Sequence, residues 1–144
     1  DEQWITESFA EASAGMCLAD WPKGRAKGEL AKMKAQWKSD GAEVSSRSTI
    51  PTANRIYNPG NSNEADQTRQ GLIYDKGAWL LECIHQELGD QAFMSYLRSL
   101  QTNFKGKFLS TQHVEGFLSY MTKKDWKPFF DQNYWGTGMP KGKE

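Results

Sequence analysis

The sequence is poor in the residues that usually mark a reaction centre, with only two histidines and two cysteines among 144 residues. No H-E-x-x-H, phosphate-binding glycine loop, Ser-His-Asp order or C-x-x-C occurs, so no complete metal, nucleotide or nucleophile site is written in these residues. Eighteen basic residues balance eighteen acidic ones, and a formal charge of zero disfavours nucleic acid or an anionic membrane as partner. No apolar run approaches the roughly 20 residues that span a bilayer. An initiator methionine and a signal-peptide pattern are also missing; the chain begins at Asp1, just before a helix, and reads as a piece of a longer protein. Cys17 and Cys83 fall in apolar, helical contexts, where two free buried thiols are expected rather than a disulfide.

What is present is a helical pattern rich in large side chains. Six tryptophans and seven phenylalanines suffice for the core of one domain. The hydrophobic period is helical almost throughout and predicts an all-α domain of about six helices. The first covers Trp4–Leu18 and the second Lys23–Lys38, with Pro22 suited to the opening turn. From Ser39 to Gly71 the pattern breaks into Gly, Ser, Thr, Asn and Pro, with NPGNSN as a turn cluster and a short helical turn near Asn63–Gln67. Ile73, Gly77, Leu80, Ile84 and Leu88 form one stripe, closed by Gly89. Asp90 caps the next helix, Ser110 or Thr111 a third and Asp125 a fourth. Lys107–Leu109 is the only strand-like stretch, and the closing WGTGMPKGKE has the texture of a linker leaving the domain.

The first helix is unusual. From Glu2 to Ala19 it carries no basic residue, yet it holds Glu7 and Glu11 one turn apart. Ile5, Phe9, Ala12 and Met16 make the expected core stripe. Glu7 lies nearly opposite, beside Glu11, Ala14, Leu18 and Trp4. A solvated face would carry lysines, whereas a buried carboxylate needs a cation or several hydrogen bonds. The competing reading makes both acids exposed residues favoured by a helix N-terminus.

Three stretches together resemble one family. WITESFAEA is similar to the W-x-x-E-[GS]-F-A-E-Y pattern of aminopeptidase N-like zinc metallopeptidases, a branch of the gluzincins. YDKGAWLLECIHQELGDQAFMSYL resembles that family's Y-x-K-G stretch, and FFDQNYWGTGMP resembles the pattern closing its catalytic domain. The order and spacing agree over nearly the whole chain. Thr6 and Ser8 stand where the family often has asparagine and glycine, and Ala12 where tyrosine is common.

The resemblance implies the helical C-terminal lobe of a thermolysin-like catalytic domain, spanning residues 1–144, in a protein that hydrolyses peptides. It implies Glu7 as a ligand of a catalytic zinc, with Glu11 in a supporting role. The other two ligands, the histidines of H-E-x-x-H, would lie upstream of Asp1 together with the rest of the substrate site. Zinc bound by two imidazoles and a carboxylate keeps an open position and activates water. The resemblance further implies that the Tyr74 hydroxyl stabilises the oxyanion; on its residue type alone Tyr74 is an aromatic anchor at a helix start. His85 lies about 16 Å along the helix from Tyr74 and is read, like His113, as structural or solvated. The residues within 1–144 are expected to hold no stoichiometric zinc and to show no peptidase activity. The upstream lobe should cover Trp4, Ala14 and Leu18, leaving them exposed here and open to self-association. A non-catalytic helical scaffold or protein-interaction domain of the same fold is the alternative.

Overall fold

The computed structural model describes residues 2–20, 25–55 and 63–143. Among these the regular structure is all helical: α1 (Gln3–Asp20), α2 (Arg25–Ser45), α3 (Ile50–Asn54), α4 (Asn63–Arg69), a π-helical segment (Gln70–Lys76), α5 (Gly77–Leu88), α6 (Asp90–Phe104), α7 (Thr111–Thr122) and α8 (Lys127–Asn133). The helical stripe through Ile73, Leu80 and Ile84 is the reason α5 becomes the spine, with Leu72, Ile73, Ala78, Leu80, Leu81 and Ile84 almost completely buried. Helices α1 and α2 pack on this spine and its π-helical entry, and α6, α7 and α8 follow one another along the chain. Ser110 caps α7 in a reciprocal box with His113, which gives that histidine a structural task. His85 is structural as well: Nε2 stands 2.7 Å from Asp90 Oδ1 and the ring stacks on Phe93.

Several sequence expectations are corrected. Helix α2 runs on to Ser45, and residues 50–54 form a helix where a loop was expected. Ser39, Asp40 and Gly41 look like breakers, but Gly41 is used for close approach: a Cβ there would sit 3.1 Å from the Lys76 backbone nitrogen. Pro22 and the NPGNSN cluster, apart from Asn63, fall outside the described residues. No strand occurs at Lys107–Leu109. Asp90 is the first residue of α6 rather than its cap, since Gly89 precedes the helix at φ 80°. Asp125 does accept from the Lys127 N–H at 2.9 Å, one residue ahead of the cap position. Cys17 is exposed; only Cys83 is buried.

The C-terminal WGTGMPKG does not leave the domain. The Trp79 indole N–H donates to the Pro140 carbonyl at 2.9 Å, Lys76 Nζ to the Gly136 carbonyl at 2.8 Å, and the Gly138 N–H to the Ser45 carbonyl at 2.6 Å. A buried polar group needs a partner, and this segment supplies acceptors to two side chains that the spine buries.

The largest correction concerns α1. Its buried arc runs through Trp4, Ser8, Ala12 and Gly15, turned by roughly 75° from the expected stripe at 100° per residue. Ile5 and Phe9 are only half-buried because they line an apolar groove against Leu97, Leu100 and Phe104. Trp4, expected to be exposed, is completely buried. Its indole N–H donates to Thr111 Oγ1 at 2.8 Å, its backbone N–H to Asn54 Oδ1 at 3.1 Å, and its ring tilts against Tyr134. Helices α3 and α7 and Tyr134, just past α8, thus close the site that an external lobe was expected to cover. Ala14 is exposed and Leu18 half-buried.

Candidate functional site

The rotation of α1 puts Ser8 on the spine and carries Glu7 and Glu11 to the edges of the contact. Ser8 is fully buried, and its hydroxyl donates to the Ile73 carbonyl in the π-helical segment. Opposite Ser8 stands Gly77, where a Cβ would lie 1.9 Å from Ser8 Oγ. Helix and spine can approach this closely only because residue 77 has no side chain. One residue from Ser8, the Glu7 carboxylate lies close enough to Tyr74 to raise the pKa of its hydroxyl, so residues 67 positions apart act on one another. Both are half-buried.

The electrostatics keep this phenol protonated. Burial is the main cause of a raised Tyr74 pKa, and the hydrogen bond to Glu7 and its charge add to it. Arg69 works in the opposite sense; its guanidinium carbon lies 5.6 Å from the Tyr74 ring centroid, and its Nε donates to Gln3 Oε1 at 2.8 Å. Arg69 was missed from sequence because in an α-helix residues i and i+5 face apart. The wider π turn, closed by i→i+5 bonds, brings them together. Single π turns are frequent where a helix carries function.

Glu11 is separate from this pair. Its Oε1 accepts from the Trp37 indole N–H at 3.0 Å. Its charge is felt instead by Asp75, whose pKa is pushed up to about 7 by burial first, then by Asp40 and Glu11. The next residue, Lys76, is completely buried, and burial lowers its pKa to about 8.

The Asp75 shift has a thermodynamic consequence. Its folded pKa is raised above the unfolded value near 3.8, so the folded state holds the proton longer. Stability should therefore fall as pH rises from about 4 to about 7, by roughly 2–4 kcal/mol, and level off above. Urea titrations across this range should show that Asp75→Asn flattens the slope and is the more stable protein at pH 8. An unchanged slope in the variant would assign the effect elsewhere.

Residues 1–134 match the model of the peptidase family M1 domain. The chain belongs to peptidase family M1. No curated protein and no solved structure is matched. M1 is a family of zinc-dependent metallopeptidases, and the all-helical fold agrees with a helical part of its domain. Among the described residues of this M1 chain, no group of three His, Cys, Asp or Glu side chains could hold a metal ion.

Proposed function

We propose that residues 1–144 are the helical lobe of the catalytic domain of a zinc-dependent, aminopeptidase-like M1 peptidase. The observation supporting this reading is the meeting of Glu7 and Tyr74 across α1 and the spine. In this reading Glu7 is the carboxylate ligand of the metal and Tyr74 the donor to the developing oxyanion, with Glu11 supporting α1 through Trp37. Zinc, when bound, supplies Lewis acidity to a peptide carbonyl and to water. This chain's own contribution is a fixed acceptor and a protonated donor, set side by side on two rigid helices.

The same reading gives the upstream sequence the two histidine ligands and the remainder of the substrate site. Peptides are the substrates. The upstream lobe is the partner of the exposed Ala14 and half-buried Leu18 face, which would mediate self-association if left uncovered. Alone, residues 1–144 hold no stoichiometric zinc and hydrolyse nothing, because one carboxylate is a weak ligand set.

The test compares two proteins on aminoacyl-anilide and peptide substrates. Residues 1–144 should be silent, whereas the protein extended upstream should turn over and stop on addition of a chelator. Upstream sequence without H-E-x-x-H, or chelator-sensitive turnover by residues 1–144 alone, would overturn the reading.

A further inference from the structure

A cleft of ≈ 360 Å³ opens between α2, α4 and the π-helical segment. Its lining is acidic: Asp40 and Glu43 come from α2, Asp66 from α4 and Asp75 from the π-helical segment, with the amides of Gln67 and Gln70 between them. Surface carboxylates alone would mean little. Asp75 is different, because it is 96% buried (relative exposure 4%) and its Oδ2 has no hydrogen-bond partner. A buried carboxylate oxygen without a donor is expensive, and every charged residue lining its cleft has the same sign. The intervening sequence offers no remedy, since residues 56–68 contain no Lys, Arg or His.

We propose that this cleft is a binding site for an organic cation of the guanidinium class, such as the side chain of an arginyl peptide, with Asp75 as the buried anchor. The carboxylates do not converge as a metal site would, since no three of them could hold one ion among the described residues. Spread acceptors flanked by amide oxygens suit a flat group with five N–H donors better than a point charge. The volume also exceeds what a bare ion needs. Burial first, and then the charges of Asp40 and Glu11, hold part of the Asp75 population protonated near neutral pH. Entry of a cation would favour the charged form, so binding near pH 7 should release a proton. The groups that face Asp75 are Asp40 and Glu43 on α2, Asp66 on α4 and Glu11 on α1, all of them acids.

The site is independent of the peptidase reading, because neither Glu7 nor Tyr74 lines it. The probe is methylguanidine, a small guanidinium carrying no other charged group, titrated calorimetrically into residues 1–144. Buffers of different ionisation enthalpy count the protons released. Saturable binding in the millimolar range or tighter is expected, with proton release at pH 7. The affinity should fall about tenfold or more in Asp75→Asn, the equivalent of one charge-assisted hydrogen bond. Asp66→Asn, on the exposed rim and remote from the core, should weaken binding severalfold without affecting folding. Magnesium or calcium should not displace the probe stoichiometrically. Repeating the titration on the upstream-extended protein separates two sources of the cation: binding there points to a free or peptide-borne guanidinium, and its loss there to a basic side chain of the same protein filling the cleft. Absence of saturable binding to residues 1–144, or equal affinity in Asp75→Asn, would overturn the proposal.

Discussion

Replacing Tyr74 with phenylalanine in the upstream-extended enzyme should lower kcat by about 10²–10³-fold and leave KM within a factor of a few. Phenylalanine keeps the ring and its packing and removes only the hydroxyl. The hydroxyl is the group that Glu7 acts on, with a pKa raised above its usual value by burial and by that carboxylate. A phenol tuned upward stays a proton donor at neutral pH, which suits a group that must hydrogen-bond an oxyanion without losing its proton. Such an interaction is stronger in the transition state than in the ground state, so its loss appears in kcat rather than KM. Unfolding of residues 1–144 provides the control: Tyr74→Phe should change stability by about 1 kcal/mol or less, the scale of one exposed-edge hydrogen bond. A loss of kcat below about threefold would remove Tyr74 from the reaction and leave it as a packing residue.

The second large effect belongs to a residue that touches no substrate. Gly77→Ala places a methyl group 1.9 Å from Ser8 Oγ and 2.8 Å from Ser8 Cβ. Neither neighbour can yield freely, because Ser8 is fully buried and its hydroxyl is held by the Ile73 carbonyl. Helix α1 must therefore move away from the spine. Overpacking of this kind costs about 1–3 kcal/mol, and a displacement near 1 Å at a reacting group can cost about 10²-fold in rate. Both losses should appear together in Gly77→Ala, measured by urea unfolding of residues 1–144 and by turnover of the extended enzyme. The double variant Gly77→Ala with Ser8→Gly restores the space and should recover most of the activity, though not the Ser8 hydrogen bond. Full activity in the single variant would show that the α1–spine contact does not set the Glu7–Tyr74 geometry.

The repeat of large apolar residues made the helices from Ile73 onward legible, because each buries one well-defined stripe. The Ser39–Gly71 region was misread for a physical reason. Its small residues, Gly41 and Gly71, break periodicity but permit close crossing of α2 over the spine, where a Cβ on Gly71 would lie 2.5 Å from Val44 Cγ2. The core face of α1 was misplaced because Ser8 and Gly15 are buried, and a scale of hydrophobicity assigns neither to a core. Glu7 and Tyr74 came from resemblance to a family pattern, and the periodicity of α1 alone would have left Glu7 ambiguous. Arg69 and Asp75 were out of reach of both, since their placement depends on a π turn that no local pattern announced.

The measurement that bears most directly on the proposed role of α1 is the zinc content of the upstream-extended protein after dialysis, for the parent, Glu7→Gln and Glu11→Gln. The two carboxylates stand one helical turn apart, yet one meets Tyr74 and the other the Trp37 indole. The parent should retain one zinc per chain and Glu11→Gln nearly the same, because Gln can still accept from Trp37. Glu7→Gln should lose most of the metal and, with it, turnover. Full zinc retention in Glu7→Gln, or loss confined to Glu11→Gln, would contradict the assignment of Glu7 as the ligand.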